Sequence, residues 1–203
     1  MNVAMAPELV ALVVHDLKNA LGSLEASLGT LAAEPRPELA QRAHRHCREL
    51  RQRFVMFLML YGNQGTMHAW RTDESPQDFL QTLRARNAPP AGGAALRLAP
   101  WPQDLPAFWF FDPRLVGLAL DAALHNAGRF ARREIVLGAR RDGERLVFWI
   151  ADDGPGLGAA DASEHRTGLG STLCRAVAEA HDGSLGLVNR PEGGALFELV
   201  LGG

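Results

Sequence analysis

The sequence predicts an α+β protein: an N-terminal antiparallel helical hairpin, then a two-layer α/β sandwich with a mixed sheet. Three observations carry this. Val10, Val14, Leu17, Leu21, Leu24, Leu28 and Leu31 recur with alternating gaps of four and three, the apolar seam of a packed helix. After Gly62-Asn63-Gln64-Gly65 the pattern changes from long helices to short alternating elements. Beyond that hinge, strand patterns and helix patterns are segregated enough to layer helices on a sheet.

The first helix is predicted from Pro7 to Ala33. Glu34-Pro35-Arg36-Pro37 ends it, because each proline removes a backbone donor and disfavours helix in the residue before it. A second helix returns from Glu38 to about Tyr61, with Leu39, Ala43, Cys47, Leu50, Phe54 and Tyr61 at helical spacing. Two helices joined by a tight turn make an antiparallel hairpin. A lone hairpin leaves one face of each seam wet, so two copies are expected to pair as a four-helix bundle, making residues 1–62 a homodimerisation unit.

Residues 66–203 form the second predicted domain. Ser75 caps a helix with Pro76 at its first position, running to Ala88. Ala95 to Leu98 reads as a strand, and Phe108 to Phe111 as an apolar strand or buried turn. Asp112-Pro113 opens a helix to about Phe130, and Ile135–Ala139 and Arg145–Ala151 are strands around the turn Arg141-Asp142-Gly143-Glu144. The glycine-rich stretch Asp152 to Gly158 precedes a helix from about Gly170 to His181. The last hairpin is Ser184–Val188 and Leu196–Leu201, around Pro191-Glu192-Gly193-Gly194.

Composition excludes several functions. A formal net charge of −2 with mixed signs gives no basis for nucleic-acid binding, and Arg132, Arg133, Arg140 and Arg141 read as a solvated face. Cys47 and Cys174 lie far apart without metal-ligand spacing, which fits a reducing compartment. His44, His46 and Cys47 read as surface residues, since positions two apart on a helix point in different directions. The longest apolar run, Phe54 to Leu60, is far too short to span a bilayer, and no signal pattern stands at the N-terminus. A cytoplasmic protein with no membrane partner is expected.

Four patches carry chemistry. The first is His15-Asp16-Leu17-Lys18-Asn19, where Asn19 lies one helical turn beyond His15 and Asp16 flanks the ring. The others are Leu124-His125-Asn126-Ala127-Gly128-Arg129-Phe130, Asp152-Asp153-Gly154-Pro155-Gly156 and Thr167-Gly168-Leu169-Gly170. Alone, each has a bland reading, a solvated histidine or an ordinary glycine loop. In this order they resemble the H box, N box and two glycine boxes of bacterial two-component sensor histidine kinases, and the resemblance covers almost the whole chain. It implies a dimerisation and histidine phosphotransfer hairpin followed by a Bergerat-type ATP-binding domain, with ATP and Mg2+ as cofactors. By that resemblance His15 is the phosphoacceptor, Asp16 orients it or takes its ring proton, and Asn19 positions water when the partner is dephosphorylated. Asn126 binds magnesium, Arg129 the phosphates, Phe130 the adenine side of the pocket and Asp152 the adenine amino group. The implied partner is a response-regulator receiver domain, with a sensor expected on a separate protein.

The residue chemistry agrees. A carboxylate at a strand end, followed by Gly154 and Gly156 that let a base approach the backbone, can accept a hydrogen bond from an exocyclic amine. An amide oxygen is a hard magnesium ligand when phosphates supply the others, and an arginine suits a phosphate clamp. Gly168, Leu169 and Gly170 open a helix whose free N–H groups suit anionic phosphates.

The chain also departs from the family pattern. Ala122 stands where a second asparagine is common, Arg166 replaces the usual first glycine of the second glycine box, the segment Leu157 to Thr167 is short, and Ala20 replaces a frequent proline. Related ATPases and serine kinases carry a glutamate at the Ala122 position to activate water or hydroxyl. Asp121 is turned about 100° around the helix and does not substitute. A neutral histidine ring already has a lone pair, so the missing base favours transfer to His15 over hydrolysis. The alternative expectation is a histidine phosphotransferase that relays phosphate between receiver domains, its degenerate C-terminal domain binding no ATP.

Overall fold

A computed structural model describes residues 7–40, 42, 43, 46, 47, 50, 54, 67–87, 93–158 and 169–203. The chain divides into two compact units, Met1–Met67 and His68–Gly203.

In the first unit, α1 spans Pro7–Ala33, and the described residues between 37 and 54 are helical as well. The two stretches meet where Ser27 Oγ lies 2.8 Å from His46 Nδ1, which is also 3.1 Å from the Ser23 carbonyl oxygen. Ala20, Ser27 and Ala43 are the buried residues described here, whereas Leu21 and Leu28 are 46% and 49% exposed. Leu21 and Leu28 are the part of the leucine seam left wet, as a lone hairpin leaves it, while Ala20, Ser27 and Ala43 are buried beside them. Periodicity marks an apolar stripe wider than one helix neighbour can cover. His46 is corrected, being half-buried against Ser27 rather than a surface residue. Cys47 is exposed, and His44 lies outside the described residues.

The second unit is built on a five-stranded sheet of β2 (Ala95–Leu98), β4 (Glu134–Asp142), β5 (Arg145–Asp152), β7 (Ala195–Leu201) and β6 (Ser184–Asn189), side by side in that order. β2 runs parallel to β4 and the other neighbours are antiparallel, so the sheet is mixed. Two further short strands, β1 (Thr72–Glu74) and β3 (Trp109–Phe111), pair with each other. Among the helices, α2 (Pro76–Arg86) packs on β2 and β4, α3 (Pro113–Phe130) on β4 and β5, and α4 (Leu169–Ala180) on β6 and β7, which gives the helix-on-sheet layering.

Local chemistry sets these boundaries. The Ser75 hydroxyl accepts the Asp78 N–H, and Pro76 and Pro113 occupy first-turn positions where a missing N–H costs nothing. Gly143, at φ +59°, turns β4 into β5 within two residues, so the strands run further into the expected turn. Arg140 lies on β4 and pairs with Glu198 at 2.7 Å across the sheet, so it leaves the expected solvated arginine face.

Between the layers, the rings of Phe79, Phe111 and Phe148 meet with centroids 5.2 to 5.5 Å apart, tilted or edge to face. Such pairs add to the burial of large apolar area. Phe148 is fully buried. Phe148→Ala should cost about 3–5 kcal/mol, read as a lower urea midpoint at unchanged slope.

Candidate functional site

α3 and α4 run antiparallel. At one end the Asp112 N–H donates to His181 Nε2 at 3.0 Å, and further along Cys174 Sγ–H reaches the Ala119 carbonyl at 3.5 Å. Seven residues forward on α3 match seven back on α4, so α3 runs from the C-terminal end of α4 toward the end at which α4 begins. There Leu169 and Gly170 open the helix. Gly168 lies outside the described residues. Asn126 is exposed, and the Arg129 guanidinium stands 5.4 Å over the half-buried Phe130 ring.

The C-terminal end of α3 abuts the glycine loop. A Cβ on Gly154 would lie 2.7 Å from the Phe130 carbonyl oxygen, so only glycine lets the two backbones approach this closely. The patches around Asn126 and Asp152 thus share one corner of the sandwich.

Asp152 ends β5 and is 9% exposed. Its Oδ1 accepts the N–H groups of Gly154 at 2.9 Å and Ala195 at 3.3 Å, while Oδ2 has no donor among the described residues. In a nearly buried aspartate, a carboxylate oxygen with no donor among the described residues is the kind of group that a bound ligand satisfies.

Sequence reasoning left out the parts that hold this aspartate. Arg190 donates to the Asp152 carbonyl at 2.9 Å, and a Cβ on Gly194, at φ +85°, would lie 1.9 Å from that same oxygen. Asp153, given no role from the sequence, ties the glycine loop to the start of β4. Its carboxylate accepts the N–H groups of Arg132, Arg133 and Glu134 at 2.8 to 3.3 Å. Those bonds, Arg133's foremost, hold its pKa below 3.8. The Asp-Asp doublet was visible in the sequence, but only the fold separates a carboxylate that shapes the loop from one that faces a ligand.

Asp121 is engaged by α2: it accepts from Arg86 at 2.7 Å and from Asn87 at 2.6 Å. It is in no position to serve as a base beside Asn126. His15, Lys18 and Asn19 are exposed on α1 in the other unit, and the Asp16 side chain lies outside the described residues.

At the far end of α3, His181 is 1% exposed and donates from Nδ1 to the Val177 carbonyl at 2.7 Å while Nε2 accepts from Asp112. Burial, and secondarily the nearby Arg71 charge, pull its pKa below 6.5 despite the Val177 bond. The unfolded chain therefore binds this proton first, so the stability involved is complete above pH 6.5 and is lost as pH falls below it. Between pH 8 and 5.5 the wild-type urea midpoint should fall, and that fall should be shallower in His181→Gln.

Against known proteins, residues 111–202 match the family described as Histidine kinase-, DNA gyrase B-, and HSP90-like ATPase. The chain is similar to several two-component sensor histidine kinases and spans about half or less of the length of those it matches. It is 35% identical over 105 residues to the Sensor protein KdpD of Escherichia coli K12, covering 45% of this chain and 11% of that protein. It is 24% identical over 237 residues to the Adaptive-response sensory kinase SasA of Nostoc sp. PCC 7120, covering 95% of this chain and 56% of that protein. Acinetobacter baumannii histidine kinase AdeS shares the fold, with a TM-score of 0.63, 18% identity, and coverage of 93% and 97% of the two chains. Among the described residues no helix is long and apolar enough to cross a membrane.

Proposed function

We propose that this chain is a histidine kinase core: residues 66–203 bind MgATP, and the γ-phosphoryl group passes to a ring nitrogen of His15 on the hairpin of residues 1–62. The observation that carries the nucleotide half is the nearly buried Asp152, whose Oδ2 has no donor among the described residues and whose glycine loop abuts the Phe130 end of α3. Asp152 accepts the adenine amine, which favours adenine over guanine, and the Phe130 corner packs the base. Gly154 and Gly156 leave the room, Arg129 and the N–H groups at Gly168, Leu169 and Gly170 take the phosphates, and Asn126 offers one oxygen to Mg2+. Magnesium commonly takes one or two protein ligands and completes its shell with phosphate oxygens and water, so a single amide donor fits.

In the transfer step a His15 ring nitrogen attacks the γ-phosphorus, an N–P bond forms, and the bond to the β,γ-bridging oxygen breaks, its electron pair leaving with ADP. The proton on the other ring nitrogen goes to Asp16. Catalysis here is positioning and charge neutralisation. The phosphoryl group then passes to an aspartate of a receiver domain, and Asn19 serves the reverse, hydrolytic task. Two hairpins pair through the faces carrying the exposed Leu21 and Leu28.

Calorimetry with the β,γ-imido analogue of ATP and Mg2+ tests the nucleotide half. Wild type should bind, and Asp152→Asn should bind about 10- to 100-fold more weakly, because its amide presents N–H to the adenine amine while its oxygen still holds Gly154. Equal affinity in Asp152→Asn would remove the adenine assignment. No wild-type binding at millimolar analogue would leave the second reading, a phosphorelay hairpin with an inert partner domain. The short segment Leu157 to Thr167, with Arg166 in place of the usual glycine, favours that reading.

A further inference from the structure

The nucleotide reading leaves unexplained a side chain 32 residues away from the loop that it holds. Asn189, the last residue of β6, accepts the Leu157 N–H on Oδ1 and donates from Nδ2 to the Leu157 carbonyl at 3.4 Å. Its amide therefore pairs with both polar groups of one backbone residue, as a neighbouring strand does. The fit is close: Gly156 turns at φ +84°, and a Cβ there would lie 2.7 Å from Asn189 Oδ1. The next residue, Arg190, donates to the Asp152 carbonyl, and Gly194 and Ala195 pack against the same aspartate. One end of the β6–β7 hairpin thus grips the loop at both ends, at Asp152 and at Leu157.

We propose that Asn189 is a positioning residue for nucleotide binding: its pairing with Leu157 sets the course of the Asp152–Leu157 loop, and so fixes the space that Gly154 and Gly156 open beside the Asp152 carboxylate. This rests on the nucleotide reading above. Asn189 is exposed and does little for global stability, because water competes for its bonds. What it controls is where the loop lies. Affinity for the nucleotide should therefore change while stability barely does.

The test compares Asn189→Leu, of similar size without polar atoms, with Asn189→Asp, which keeps the oxygen that accepts the Leu157 N–H. Affinity for the imido analogue of ATP with Mg2+ is measured on the full chain, alongside Tm. Asn189→Leu should bind about tenfold more weakly and Asn189→Asp should fall between it and wild type, because the carboxylate keeps an acceptor for the Leu157 N–H but sets its second oxygen against the Leu157 carbonyl. The two Tm values should agree within about 3 °C. Phe79→Leu, in the aromatic cluster away from the loop, serves as control: it should lower Tm and leave affinity unchanged. Wild-type affinity in Asn189→Leu would overturn the proposal, as would a Tm loss matching that of Phe79→Leu, since affinity would then follow stability and not the course of the loop. If wild type itself fails to bind, the nucleotide reading fails instead, which keeps the two failures apart.

Discussion

In His15→Gln, label from γ-labelled MgATP is expected to fall to background while affinity for the ATP analogue stays within about twofold of wild type. A neutral imidazole offers a ring lone pair near neutral pH, and a glutamine amide does not. His15 is exposed on α1, so replacing it removes no packing, and the residues proposed to hold nucleotide belong to the other compact unit. The wild-type label should be lost in acid and kept in base, as an N–P bond requires. Asp16→Asn should slow labelling by about 100-fold, the usual weight of a positioned proton acceptor, whereas Asn19→Ala should spare it. Label retained in His15→Gln would put the nucleophile elsewhere in the chain.

What could be read from the residues was what depends on near neighbours. Ser75-Pro76 and Asp112-Pro113 mark helix starts because an N-cap oxygen and a proline act on the next few N–H groups, and both helices begin there. The β4–β5 hairpin was legible for the same reason, its glycine turn standing between two alternating runs. The leucine seam was legible only as a stripe. Which side meets the neighbouring helix depends on where that helix lies, and Leu21 and Leu28 were left exposed. β1 escaped notice because its three residues, Thr72-Asp73-Glu74, are polar and too short to display a period; pairing with β3 makes them a strand. In the candidate site, Asp152 and its glycines announced themselves by type and spacing. The Asn189 and Arg190 contacts join segments far apart in the chain, and Asn-Arg-Pro-Glu-Gly-Gly reads locally as no more than a turn.

Asp112→Ala should destabilise the second unit, His68–Gly203, by about 3–5 kcal/mol, since it removes a helix cap and leaves backbone N–H groups unpaired. The Asp112 side chain is fully buried and accepts the N–H groups of Trp70 at 2.9 Å, Arg114 at 2.9 Å and Leu115 at 3.2 Å. Burial alone pushes its pKa up, but the Arg114 guanidinium and those three N–H groups outweigh it and hold the value below 3.8. The stability it supplies is therefore present above pH 3.8 and is lost only as pH falls through the lower folded value. The Arg114 ion pair contributes little, because that guanidinium is 72% exposed. Trp70 matters more, since through it the chain entering the second unit is fixed to the start of α3, and Arg71 beside it donates to the Ala180 carbonyl at the end of α4 at 3.0 Å. The Asp112 carboxylate and the His181 ring grip the same turn from side chain and backbone. Their losses should accordingly not add: Asp112→Ala with His181→Gln should cost less than the two single changes together by more than about 0.5 kcal/mol in urea unfolding. A single-change loss under about 1 kcal/mol for Asp112→Ala would mean that water replaces the carboxylate at all three N–H groups, and that the entry of the chain is held by Arg71 alone.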